Sequence, residues 1–228
     1  MSRSAYFTIA LFFVLVFLSL ILMKLLSSAP QPSFTVLPLP SKPELLGVYI
    51  KNPDILYSTH GLLSPIPNMP EDTSIIKVNE WNGTAFIGYY DIPLGGRYGI
   101  AEIHPIDTKT GRYIEQETYL PSGNYRVVFG VANAADMFPQ EMGIGGFLGK
   151  CADVGVRIMV TEVENGRSYI IFDKIIRNGK WYDYSVDISS RFSNKRIRVK
   201  VESYAAGDEC GLWNGEWAVI DYLDIQPY

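Results

Sequence analysis

Residues 205–217 concentrate the richest recognition chemistry in the chain. Asp208, Glu209, Trp213, Asn214, Glu216 and Trp217 fall within ten positions of one another. Indole rings offer flat apolar faces, while carboxylates and amides bond to hydroxyl groups. Together they are the parts needed to hold a polyhydroxylated ligand such as a sugar. A structural reading stands beside this one, with Trp217 in a core and Trp213 covering its edge. Trp181, Tyr182 and Tyr184 open an aromatic strand and read as packing residues. Trp81 precedes Asn82-Gly83-Thr84, the single N-glycosylation sequon, so Asn82 is expected in a surface turn with Trp81 exposed beside it.

Catalysis has little to draw on. The two histidines, His60 and His104, lie in loop-like stretches, and neither a nucleophile elbow nor a metal-binding His pair occurs. The run GIGGFLGK at 143–150 has the composition of a phosphate loop but not its spacing. Ile144 stands where the first Gly is needed, and Leu148 breaks the dinucleotide pattern. It reads as a Gly-rich surface loop. Carboxylates are plentiful, but nothing in their spacing sets two of them at glycosidase separation. No catalytic residue is assigned, and the chain is read as a non-enzyme.

The two cysteines, Cys151 and Cys210, flank predicted strands. In an oxidising exterior they are expected to form a disulfide, worth about 4 kcal/mol in the chain-entropy picture. A metal site is the rival reading, and two cysteines without histidine neighbours support it poorly.

The elements that must position these residues are strands. Ile197, Val199 and Val201 alternate with Arg196, Arg198, Lys200 and Glu202, which gives one dry face and one wet face. Tyr125, Val127, Phe129 and Val131 repeat the pattern, as do Val154, Val156, Ile158 and Val160. Turn signals separate them: Pro121-Ser122-Gly123-Asn124, Glu164-Asn165-Gly166 and Arg177-Asn178-Gly179. Many short strands without helical periodicity predict an all-β, antiparallel sandwich over 71–228.

Ahead of it, residues 5–23 form a 19-residue run without a charge, about 28 Å long as a helix and apolar on every face. Residues 1–28 therefore read as an N-terminal transmembrane signal anchor in contact with membrane lipid. Arg3 stays on the cytoplasmic side, and the rest of the chain is extracytoplasmic, giving a single-pass protein of the cell membrane. A cleaved signal peptide and a prepilin-type leader are the alternatives: the length of the run and Pro30 after the Ser27-x-Ala29 site count against the first, and the short MSRS leader fits the second poorly. Pro30, Pro32, Pro38, Pro40 and Pro43 make the next stretch a semi-stiff spacer, so residues 29–70 are expected to be linker and irregular segment. The chain carries 20 Lys+Arg against 24 Asp+Glu, and an acidic exterior is a poor partner for nucleic acid.

Four stretches carry a resemblance. They are LPSGNYRVVFGVAN (120–133), DVGVRIMVTEVENGRSYIIFDKII (153–176), GKWYDYSVDISSRFSNKRIRVKVES (179–203) and GEWAVIDYLDI (215–225). In succession they resemble the galactose-binding-domain-like jelly rolls, a superfamily that includes many carbohydrate-binding modules. The resemblance implies a jelly-roll sandwich and a glycan ligand, but fold alone does not settle function. It also implies a structural Ca²⁺ near Asp221, if that side chain shares a buried face with Val219, Leu223 and Ile225. Glu80 and Asp72 are the further ligands considered for it. The opposite parity, with Ala218, Ile220 and Tyr222 inward, leaves Asp221 exposed and removes the site. Three functions are carried forward. The first is a carbohydrate- or glycoconjugate-binding module, and the second a self-associating subunit of a surface assembly or pilus-like filament. The third is an accessory subunit of a membrane enzyme complex.

Overall fold

The computed structural model describes residues 14–19, 32–55, 80–83, 86–88, 97, 100–103, 113–133, 154–177, 180–205 and 218–228. The chain divides into two units, Met1–Ser33 and Phe34–Tyr228. In the first, residues 14–19 of the apolar run are helical with exposed side chains. Among the described residues no helix is long and apolar enough to cross a membrane.

The second unit holds, among the described residues, eleven strands: β1 (Val36–Leu39), β2 (Asn82–Gly83), β3 (Phe86–Gly88), β4 (Ile100–Ile103), β5 (Tyr113–Leu120), β6 (Tyr125–Asn133), β7 (Val154–Glu162), β8 (Arg167–Ile176), β9 (Tyr182–Asp187), β10 (Lys195–Ala205) and β11 (Ala218–Pro227). They form two sheets, ordered β1-β9-β6-β11-β4-β3 and β2-β5-β10-β7-β8. Every pairing among them is antiparallel. From β4 to β11 every connection but the β7–β8 hairpin passes from one sheet to the other, which makes an antiparallel β-sandwich.

Alternation explains the core. Ile197, Val199 and Val201 are fully buried, as are Val154, Ile158 and Val160, while Arg196, Arg198, Lys200 and Glu202 line the other face of their sheet. From the facing sheet come Val127, Phe129, Val131, Leu223 and Ile225. Phe129 meets Phe172 edge-on at 4.8 Å and Tyr184 at 5.7 Å. The turns at 121–124 and 164–166 sit at the predicted places, while Asn178 and Gly179 of the third lie outside the described residues. Gly166 takes φ +68° in the β7–β8 hairpin, and its N–H bonds to the carbonyl of Glu162 at 2.9 Å.

The start of the folded unit differs from the expected boundary at residue 71. Pro38 lies inside β1, an edge strand of the first sheet, where a missing donor is tolerated. Residues 42–55 then form an irregular strap bound to the sandwich. The N–H groups of Leu46 and Gly47 bond to Asp224 Oδ2, Gln226 bonds to the carbonyl of Glu44, and the N–H of Leu223 bonds to the carbonyl of Pro53. That last contact falls where β11 has run past its β4 partner. Lys51 exchanges two bonds with the Gln116 side chain of β5, so the strap is bonded to both sheets. Its Ile50 and Ile55 are buried in the common core. Proline content suggested a spacer as far as Pro43 and left the irregular stretch from residue 45 open between linker and domain; these polar anchors and buried side chains make 42–55 part of the fold.

Register defines two ends. At one, Leu120 and Tyr125 flank the short 121–124 turn, Tyr125 pairs with Pro227, and Val36 pairs with Val186. Chain entry and the C-terminus share this end, where the N–H of Tyr228 bonds to the carbonyl of Asn124. At the other, Ala218 pairs with Asn133 and Ile103, and Val154 pairs with Ala205 and Ile176. The connections 104–112, 134–153, 177–181 and 206–217 all leave from this loop end.

Candidate functional site

Two places in the folded unit assemble chemistry-bearing side chains. The first is a buried ionic cluster on the outer face of the β1-containing sheet. Asp183, Gly130 and Tyr222 are neighbours in one row across β9, β6 and β11. Arg97 lies over that row. It donates to Asp183 at 2.9 and 2.6 Å in a bidentate pair and to Asp221 Oδ2 at 3.1 Å. Tyr222 donates its hydroxyl to Asp183 at 2.9 Å. Lys42 of the strap reaches both Asp221 and Asp54 at 3.1 Å. The indole of Trp181 faces the Arg97 guanidinium at 4.8 Å. Gly130 makes the room. A Cβ there would stand 2.5 Å from the Tyr222 ring and 2.7 Å from Arg97.

The electrostatics follow from burial. Asp221 is raised above the usual carboxylate range, because loss of water outweighs the pull of Lys42 and Arg97. Burial works against the charge of Arg97, yet Asp183 and Asp221 hold its affinity for a proton above normal. Burial and the adjacent Asp183 carboxylate push the Tyr222 phenol far up. All these groups are engaged with one another, so the cluster is an internal tie between the strap, β9 and β11.

At Asp221, where a structural Ca²⁺ was expected, the structure places two cationic side chains. Asp221 is buried, and the ions beside it are a guanidinium and an ammonium, both bonded to Oδ2. Among the described residues no three His, Cys, Asp or Glu side chains converge as a metal site. Glu80 is exposed and lines a different cleft, and Asp72 lies outside the described residues. Neither parity assumed for β11 is right. A register shift between Ile220 and Tyr222 lets Ala218 and Ile220 face the core on one side of the irregularity, and Leu223 and Ile225 on the other.

The second place is the outer face of the other sheet. Arg198 pairs with Glu117, Arg157 pairs with Glu202 and Asp173, and Lys200 pairs with Glu202. The Arg198 bond is what holds Glu117 below the ordinary carboxylate range. Tyr204 lies flat across Gly155, where a Cβ would come within 2.1 Å of its ring. Its hydroxyl donates to Asp173 at 2.6 Å, and Arg157 faces its ring at 5.0 Å. Burial and the bond to Asp173 push the Tyr204 phenol to about 12. Around it, Asp173, Lys174, Ile175, Arg177 and Tyr204 line a cleft of about 520 Å³. The cleft lies at the loop end, because Tyr204 pairs with Gly155 one position before the last pair of β10. A smaller cleft of about 340 Å³ is lined by Lys51, Glu80, Asn82, Glu115, Gln116, Glu117 and Arg198.

Of the residues singled out from sequence, Asp208, Glu209, Trp213, Asn214, Glu216, Trp217, Cys151, Cys210, His60 and His104 lie outside the described residues. Asn82 is exposed in β2 rather than in a turn. Trp81 is buried, not exposed, and donates its indole N–H to the carbonyl of Asn52 at 3.1 Å. Trp181 is half-buried against Arg97. Sequence reasoning missed Arg97, Lys42 and Asp183. The one legible signal for them was Gly130, a glycine inside an otherwise apolar strand, which marks a close approach.

No protein-family model and no curated protein matches this sequence. Solved structures similar to it include the module TmCBM61 in complex with β-1,4-galactotriose, at 14% identity and TM-score 0.48, covering 79% of this chain and 98% of that one. The CBM22-1 xylan-binding domain from Paenibacillus barcinonensis Xyn10C matches at 9% identity and TM-score 0.41, covering 69% and 89%. A single-site mutant of the family 29 carbohydrate-binding module CBM29-2 matches at 18% identity and TM-score 0.37, covering 65% and 82%.

Proposed function

We propose that this chain is an extracytoplasmic glycan-binding module, held to the cell membrane by residues 5–23 and presenting its loop end to the ligand. The observation that carries this reading is the separation of the two ends. The chain enters and leaves the sandwich beside the 121–124 turn, whereas four connections leave from the opposite end. The loop end of the sandwich is thus opposite the end at which Phe34 enters it. Residues 206–217 depart from Ala205, next to Tyr204 and the 520 Å³ cleft. In sequence that segment holds Trp213, an aromatic face, and Asp208, Glu209, Asn214 and Glu216, whose carboxylates and amide are hydroxyl partners.

The test is a glycan array with the full chain in mild detergent, beside Trp213→Ala. Saturable binding that the substitution abolishes supports the reading and locates the ligand. A folded chain that binds no glycan defeats it. In that case, self-association dependent on residues 5–23 is the result expected of a filament subunit.

A further inference from the structure

We infer that the domain is built to carry tension along its strands, with β1 as the latch and the strap as a second stop. This rests on the proposed glycan-binding role, in which the chain is attached at its N-terminal side and holds a ligand at the loop end. Val36 pairs with Val186 and Leu39 with Asp183, so β1 runs from the entry end toward the loop end. Its strand neighbour among the described residues, β9, begins with Tyr182 at the loop end and runs the other way. A pull on the segment before Phe34, resisted at the loop end, therefore draws β1 and β9 in opposite directions along their axes. Antiparallel hydrogen bonds lie perpendicular to the strands, so this pull loads the ladder together, in shear.

A pull between the two termini acts differently. Tyr228 sits at the same end as Val36, two strands beyond β9 in the sheet order. Force between them crosses the strands and opens the β1 ladder from one end, bond by bond. Side-chain packing there comes from Phe34 and Val36, partly buried against the core, while Leu37 is 56% exposed. Behind the latch stands the strap. Lys42 is tied to Asp221 and Asp54, Leu46 and Gly47 to Asp224, and Ile50 and Ile55 are buried in the core. Losing β1 does not release the chain, because the next residues are anchored at separate points on the sandwich.

Single-molecule force spectroscopy on the full chain tests this. Azide-bearing residues serve as handles, placed at Ser33 and Lys180 for the strand axis, or at Ser33 and Tyr228 for the crossing axis. The first rupture on the strand axis is expected at roughly twice the force of the crossing axis or more, since forced unfolding reports the barrier along the direction pulled. Equal forces, or a stronger crossing axis, overturn the proposal. Lys42→Met is expected to weaken the second rupture on the strand axis and leave the first unchanged. A second rupture that does not move overturns the role of the strap. The outcome is independent of the glycan array: an array without binding defeats the ligand reading and leaves the force anisotropy intact, and isotropic rupture does the reverse.

Discussion

Asp183→Asn and Asp221→Asn make a matched pair of perturbations, and the structure orders them. Asp183 accepts two charge-assisted bonds from Arg97 and a third from Tyr222. The carboxamide oxygen of its amide replacement can still accept from Arg97 and Tyr222 at the Oδ1 position, but the amino group that replaces Oδ2 cannot accept, and the side chain carries no charge. Removing one member of a buried ion pair costs about 3–5 kcal/mol, because the other charge is left in a low-dielectric site. Arg97 keeps Asp221 and is 17% exposed, which places the expected loss near the bottom of that range, about 3 kcal/mol. Asp221 differs in two ways. Each of its cations has a second acidic partner, Asp183 for Arg97 and Asp54 for Lys42. Burial also already opposes its charge. Neutralising it relieves part of that penalty, and the expected net loss is about 1 kcal/mol. With a urea slope near the upper end of about 1–3 kcal/mol per molar, the two variants should differ in midpoint by about 0.7 M. Urea unfolding of the full chain in mild detergent, followed by tryptophan fluorescence, reads this directly. An Asp221→Asn midpoint equal to or below that of Asp183→Asn would refute the reasoning, since it would make Asp221 the principal counter-ion of the cluster.

Three further expectations rest on the same geometry. Gly130→Ala forces a methyl group into the buried Tyr222–Arg97–Asp183 row, whereas Gly155→Ala displaces only the Tyr204 ring on an outer face. Thermal unfolding should show the first losing about 3 kcal/mol and the second about 1 kcal/mol, and the reverse order would contradict the placement of both side chains. Glu117, Glu162 and Asp187 all have lowered folded-state pKa values, so their stabilisation is present above the unfolded carboxylate range and is lost as pH falls through the folded values. Asp221 is raised and acts in the opposite sense, favouring the folded chain most when protonated. Acid should therefore destabilise the protein, and more steeply in Asp221→Asn than in the parent; parallel pH profiles would remove Asp221 from the balance. Finally, Cys151 stands three residues before Val154 and Cys210 five after Ala205, and those two strand residues are register partners. Peptide mapping without reductant should recover Cys151 and Cys210 in one linked peptide, and two free thiols would end that expectation.

Period-two patterning made the sandwich legible. Residues 197–201 state the inward and outward faces of β10 outright, and the 121–124 and 164–166 turns appear where their residue types require. This works because one face of that sheet meets water, so polarity alternates with burial. The other sheet is harder to read. Val128, Ala132 and Tyr222 are buried although they lie outside the core cluster; Arg97 lies over Tyr222, and the strap is bonded to Asp224, the register partner of Val128. Covering comes from residues distant in sequence, and no local period records it. The strap itself was obscured by its prolines, which signal extended backbone equally well in a free spacer and in a segment pinned to a sheet. The candidate site was legible only as composition: Trp213 and its polar neighbours fall outside the described residues, so the fold places the ends of their segment and nothing between.

Asp221 shows why a buried charge in a strand cannot be assigned by counting alone. Parity offered two choices, buried with a metal or exposed without one. The irregularity between Ile220 and Tyr222 breaks the count, so the strand is apolar toward the core on both sides of Asp221 while the carboxylate lies on the covered outer face. Its partners then come from two directions, Arg97 across the sheet and Lys42 from the strap. A bulge at this position has a mechanical use. It aims a carboxylate at Lys42 of the entering chain, so the residue that upsets the strand's period is also the one that ties the N-terminal segment down. If the domain carries load from that segment, the irregular residue of β11 is where the load passes from strap to sandwich.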